Sequence, residues 1–481
     1  MQLSKLVSLT LLLVLFCIVS FVFVPTHSAH AAERTIPVGS SIEDAVNAAK
    51  PGDTLILAAG TYRESITIER SGAGQAPITL KGAGAGNTTI VGTIRIESAF
   101  IALQDLTVDA DGSSNDAVKL VAPAADITLR GVHLHNGSGY GVRVGNDVAR
   151  VLIEGCTINN FDAGSRDAHG VGIMTASDVT VRECDIFDTS GDAIQTNTPD
   201  YPGYERFAER IRIERNRLHD TRENAIDIKS THDLVAHGNL IWGFKAVDSS
   251  DGMAIQVQHD ARNITLSGNQ IWSAVEGIEI SRGSKNGTAY PLAPQDVLIA
   301  GNLIYDLVND PNGDSGSGSG IVVRSSANVQ LFNNTITAVP SSAIHVAVSQ
   351  RDDYPEQLAI RNNLLDGGKS DLMFSFAPDR APDLVVDSNH YVSGRVNGGN
   401  LDQWRKAGYD RNPTSGDPKL DPERRPTAES TLVDSGVDVG LPFKGAAPDR
   451  GWGEMEIVSA QPSQPSLPAL INRLYLPLLA H

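Results

Sequence analysis

Ten times between residues 126 and 391 the chain returns to one short phrase, in forms such as "DITLRGVHL", "DVTVRECDI", "NITLSGNQI" and "DLVVDSNHY". Its seventh position reads Val132, Cys156, Cys184, Asn216, Asn239, Asn269, Asn302, Asn334, Asn363 and Asn389, at intervals of 24, 28, 32, 23, 30, 33, 32, 29 and 26 residues. A fixed phrase at a loosely fixed period marks a solenoid, in which each repeat buries its apolar face only against its neighbours. The phrase alternates apolar and polar residues with a period of two, so the repeats contribute strands and not helices. Parallel strands stack about 4.8 Å apart, so an asparagine recurring at one position forms an internal ladder of amide hydrogen bonds. The expected fold is all-β: a single-stranded parallel β-helix of roughly 10–12 rungs.

Such a solenoid absorbs most of the 481 residues. Residues 1–31 combine one lysine, a long apolar run and Ala29-His30-Ala31, which reads as a secretory signal peptide cleaved after Ala31. The length of the run leaves an uncleaved membrane anchor as the alternative. Phe16 before Cys17 argues against lipoprotein processing. Removing this segment takes away Lys5 and no acid, leaving 38 basic and 57 acidic residues and a net charge of −19. Such acidity suits a soluble extracellular protein and argues against nucleic acid or anionic lipid as the main partner. Cys156 and Cys184 then remain at consecutive ladder positions, close enough to touch. A buried thiol pair filling the core is the favoured reading, with disulfide formation left open.

Near the mature start, Ile42, Ala45, Val46 and Ala49 share one helical face, Ser41 and Asp44 suggest a cap, and Pro51-Gly52 stops the run. A short N-terminal capping helix is therefore expected to cover the exposed first rung. Each later repeat carries a second strand of the type Gly/Ala-Ile-x-Ile, such as "AIDIKS" at 225 and "AIQVQH" at 254. The longest interruptions fall at 198–210, 282–295 and 309–319. Past Asn389 the pattern decays, and the segment around "STLVDSGVDV" is expected to fold back as a last rung and cap. The expected β-helix with its caps thus covers 32–458. Residues 459–481 form a Pro-rich linker and a short apolar tail, interrupted by Arg473 and far short of the ~20 residues that a membrane span needs.

In Ile-x-Ile strands the isoleucines point inward and the intervening residues outward. Aligning these strands gives one outward column of Arg143, Gly172, Gln195, Asp227, Gln256, Glu279, Val322 and His345. The next reads Gly145, Met174, Asn197, Lys229, Gln258, Ser281, Arg324 and Ala347. With His259 and Arg282, which follow their strands, a dense polar patch occupies the middle turns, while both ends are bland. Gln195, Asn197, Gln256, Gln258, Glu279, Arg282 and Arg324 are candidate substrate contacts, and Asp227, Lys229 and His259 candidate catalytic groups. The competing reading is a solvated face with charges paired across rungs. A further column of Phe187, His219, Trp242, Trp272 and Tyr305 either stacks on sugar rings or stacks on itself. Asp109, Asp111 and Asp116, or Asp310, Asn312 and Asp314, have oxygen-ligand spacing suited to Ca²⁺, although these are also ordinary turn residues.

The opening "IEDAVNAAKPGDTLILAAGTYRESITI" and the closing "STLVDSGVDV…PDRG" resemble secreted right-handed β-helix proteins of the pectate lyase superfold, over roughly residues 36–456. "ENAIDIKSTHDLVAHGN" followed by "GMAIQVQHDARNITLSGN" is similar to the catalytic rungs of the chondroitinase B and alginate lyase family. In that family a lysine in a Lys-Ser pair and an arginine in an Arg-His-Gly run act as base and acid. Lys229-Ser230 matches the first element; Gln258-His259-Asp260 occupies the second, keeping the histidine and replacing the arginine. Where the family carries metal-binding acids before the lysine, this chain has Arg222, Glu223 and Asn224.

The resemblance implies a right-handed helix and β-elimination on a uronic acid polymer, with Ca²⁺ as a conceivable cofactor. That chemistry removes a proton α to a carboxylate, so it needs a cation or strong donors at the carboxylate and a base of suitable pKa. Lys229 is the first candidate base, opposed by Asp227, which would hold it protonated; His259 is the reserve. The alternatives are a non-catalytic glycan-binding or surface protein, and a glycoside hydrolase using two carboxylates such as Asp227 and Glu279. The expected partner is an acidic polysaccharide, met by a monomeric extracellular protein with no stable membrane insertion.

Overall fold

The computed structural model describes residues 31–196, 206–245, 252–285, 288–309, 318–348 and 353–454. Residues 1–30 of the expected leader, the linker and tail at 459–481, and Asn197, Asp310, Asn312 and Asp314 lie outside the described residues.

Each repeat folds as one coil of three short strands, and the coils stack into three sheets of 14 strands each. Sheet A runs from Glu33–Ile36 to Val385–Asp387, sheet B from Gly60–Arg63 to Thr414–Ser415, and sheet C from Ile66–Ile68 to Gly399–Asn400. Successive coils pair in parallel until the last pair of sheet C, where Arg395–Val396 and Gly399–Asn400 run antiparallel. The stack exceeds the expected 10–12 rungs because degenerate sequences before the phrase, such as Thr54–Leu57 and Ile78–Lys81, coil without carrying it.

The phrase itself is two strands. It breaks at the residue before the ladder position, where the chain turns from sheet A into sheet B; Ala125–Arg130 and His133–Gly137 flank such a break. That residue is left-handed in each of the ten repeats, whether glycine (Gly131, φ 61°) or not (Arg215, φ 53°). Glycine reaches this region freely, whereas a side chain costs roughly 1 kcal/mol there.

The core is built from like-on-like columns. Ile226, Ile255, Ile278, Ile321 and Ile344 follow one another in register along sheet C, all fully buried. At the corner between sheets A and B the asparagines form the expected ladder. Each Nδ2 donates to the next Oδ1, for example Asn269 to Asn302 at 3.0 Å, and to a carbonyl of the preceding coil. The same Oδ1 accepts the backbone N–H of the preceding asparagine, at 2.9 Å for Asn269. The ladder ends on Asp410, whose carboxylate receives the Asn389 backbone N–H and amide together with the Tyr391 hydroxyl. At its other end the Cys184 N–H donates to Asn216 Oδ1, and the Cys156 N–H to Cys184 Sγ; both thiols are free and buried.

Helix α1 (Ile42–Asn47) starts at Ser41, whose hydroxyl accepts the Asp44 N–H, and buries Ile42, Ala45 and Val46. Glu43 accepts the Thr67 N–H and Asn47 donates to the Thr67 carbonyl, so the helix meets the edge strand of sheet C. After Thr414–Ser415 the chain reverses and runs back over the outside of the stack. Val439 packs on Leu298, Ala300 and Phe332, and Arg424 pairs with Asp306 at 2.8 Å. No helix among the described residues is long and apolar enough to cross a membrane.

Candidate functional site

The strand register places the outward columns of sheet C as the alternation predicts. Gln195, Asp227, Gln256 and Glu279 are successive partners, and Lys229, Gln258 and Ser281 form the neighbouring row. Asp227 sits at the centre, only 2% exposed, in an ion pair with Lys229. Gln258 Nε2 donates to Asp227 Oδ1 at 2.9 Å and to Gln256 Oε1 at 2.7 Å. Burial pulls the Lys229 pKa down, but the Asp227 and Asp192 charges outweigh it and hold the ammonium protonated, well above its ordinary value. Glutamine thus stands at the arginine position of the resembling family and shares Asp227 with the lysine.

His259 follows directly on this row with a left-handed backbone, φ 60°. Burial and the Lys229 charge lower its imidazole pKa to about 4, so it is neutral near pH 7. The site therefore joins a fixed cation and a neutral base on adjacent coils. The other candidates are committed to partners: Gln195 Nε2 donates to Asp192 Oδ2 at 2.8 Å, Arg282 pairs with Asp353, and Arg324 faces Glu279 at 3.5 Å.

Behind Asp227 lies a buried group that the alternation alone does not assemble: His169, Asp192 and Glu223, whose ligand atoms fall within 4.8 Å of one another. Asp192 is 0% exposed, and burial next to the Asp227 charge pushes its carboxyl pKa well up. Its Oδ1 accepts two bonds from Asn224 and its N–H donates to His169 Nδ1 at 2.8 Å. Calcium takes six to eight oxygen ligands. This group offers two carboxylates and an imidazole, with the His169 lone pair and both Asp192 oxygens already bonded, so it does not fit the calcium that the resemblance implies. The loop at 109–116 does not fit either. Asp109 accepts from Asp111 and Asn136 in an ordinary turn, while Asp116 holds Arg143 at 3.0 Å.

Sheet B carries the aromatic column. Phe187, His219, Trp242, Trp272 and Tyr305 stack face to face with centroid spacings of 4.9, 4.2, 5.0 and 5.8 Å. The inner faces are covered by neighbouring rings, which selects self-stacking over a sugar platform.

A family model described as right handed beta helix region matches residues 107–271 and 246–365, together more than half of the chain. No curated protein matches it in sequence. Among solved structures, the PL6 family alginate lyase AlyGC is similar at TM-score 0.61 and 15% identity, over 86% of this chain and 60% of that one; the chain thus spans less than two thirds of AlyGC. A mannuronic acid specific family 6 lyase from human gut microbiota aligns at TM-score 0.56 and 16% identity, over 75% of this chain and 86% of that one. PfbA, a surface adhesin of Streptococcus pneumoniae, aligns at TM-score 0.53 and 12% identity, over 72% and 87%.

Proposed function

The chain belongs to the family of right-handed β-helix proteins, and we propose that it is an exported polysaccharide lyase that cleaves a uronic acid polymer by β-elimination. Residues 1–31 direct export, and the β-helix with its caps is the catalytic body. The observation that carries this reading is the placement of Lys229, ion-paired with Asp227, and His259 on adjacent coils, His259 following directly on the Gln258 that pairs with Lys229 in the sheet register. Lys229 neutralises the substrate carboxylate, which acidifies the α-proton, and His259 removes that proton. Asp227, itself held by Gln258, keeps the ammonium in place. Lyases acting on alginate share the fold, which adds weight to the substrate class.

The non-enzymatic reading keeps one specific observation in its favour: Lys229, Arg282 and Arg324 are all held by carboxylates of the protein. The hydrolase reading is weaker, because Asp227 and Glu279 are both tied into ion pairs. A panel of polymannuronate, polyguluronate, polygalacturonate and chondroitin sulfates, each with and without Ca²⁺, separates the three. Ultraviolet-absorbing unsaturated ends, abolished in His259→Gln, are expected. New reducing ends without unsaturation would select hydrolysis. Binding without turnover that survives Lys229→Ala would select the binding protein.

A further inference from the structure

We propose that Tyr290 is the general acid of this site, protonating the departing glycosidic oxygen beside His259; the inference rests on the lyase reading above. The residue comes from the interruption at 282–295, where the coil leaves the stack as a small antiparallel hairpin, Ser284–Lys285 against Thr288–Ala289. Tyr290 closes that hairpin: its backbone N–H donates to the Gly283 carbonyl at 3.2 Å. Gly283 in turn lies flat against the site. A Cβ there would stand 3.0 Å from Gln258 Oε1 and 3.2 Å from His259 Nε2, and its φ of +66° suits glycine. The missing side chain lets the base of the hairpin press onto the imidazole. The Tyr290 ring consequently rests on His259 with centroids 3.8 Å apart. Nothing in the sheet register requires a tyrosine here; the detour delivers a phenol to His259.

A phenol is a protonated donor at neutral pH, the complement of an unprotonated imidazole. In the reaction an imidazole nitrogen takes the proton from the carbon α to the carboxylate, and the C–H electron pair becomes the new carbon–carbon double bond. The bond from the β-carbon to the glycosidic oxygen breaks, and its electron pair leaves on oxygen. The phenolic proton moves to that oxygen. Solvent then reprotonates the tyrosinate and accepts the proton from His259.

Tyr290→Phe tests the assignment while keeping the ring on His259. In the full-length protein, acting on whichever polymer of the panel it cleaves, kcat is expected to fall about 100- to 1,000-fold with KM changed less than about threefold. An analogue carrying nitrophenolate at the scissile position needs no proton on its leaving group. On it, Tyr290→Phe should stay within about tenfold of wild type, while His259→Gln remains inactive. Wild-type kcat in Tyr290→Phe, or an equal loss on both substrates, overturns the acid role. A wild-type protein that yields no unsaturated product from any polymer overturns the lyase reading itself, and with it this inference.

Discussion

At the scale of single residues, the site is a question of which group carries the proton. Lys229 and Asp227 share one strand and one face, and their mutual attraction removes lysine from the list of bases. The same positive charge acts on His259 and, with burial, keeps its pKa near 4. Activity that needs neutral His259 should therefore be lost only as the pH falls through about 4, and be flat through neutrality. Lys229→Gln removes the charge that disfavours the imidazolium. In the residual activity of that variant, the acid limb of kcat/KM should move up toward the ordinary histidine value of roughly 6.5. A pH–rate profile of both proteins checks this. Asp227, Lys229, Gln256 and Gln258 were legible in the sequence because strand alternation fixes which way they point. Tyr290 and Asp353 were not, because each reaches the face from a loop whose return path no periodicity records. His169 escaped because it sits just before its strand, where the two-residue rhythm has not begun.

At the scale of the element, the ladder couples each coil to the next through one buried amide. Replacing Asn302 by alanine leaves the Asn269 amide and backbone N–H without their acceptor, and the Leu266 carbonyl without a donor. A loss of about 2–4 kcal/mol is expected, from two or more buried polar groups left unsatisfied. A lowered denaturant midpoint with the sheet spectrum intact would show it; an unchanged midpoint would mean that water repairs the gap. The ladder was readable from asparagine recurrence alone. The break inside the phrase was not, because two strands joined through a left-handed residue keep their alternation in phase. Gly131, Gly155, Gly238, Gly268 and Gly301, all just before the ladder position, were the local sign of that turn.

At the scale of the whole molecule, the repeat phrase stops short of the ends of the stack. Terminal coils stack on the same backbone pairing without the phrase, and the segment around "STLVDSGVDV", expected to fold back as a last rung, instead lies outside coils far from it in sequence, a placement that no local pattern announces. The middle of the stack has a further, mechanical consequence. Once the returning segment is peeled away from Leu298, Ala300, Phe332 and Asp306, sheet pairing joins each coil only to its neighbours, yet the coils contain unequal lengths of chain, from 23 to 33 residues between ladder positions. Pulled from its two ends, the molecule should shed coils one at a time from an end. Each release should lengthen the tether by about 80 to about 115 Å, at roughly 3.5 Å per residue. The order of short and long steps in a single-molecule force trace would then spell out the order of the coils, and uniform steps or a single collapse would show that they are not separable units.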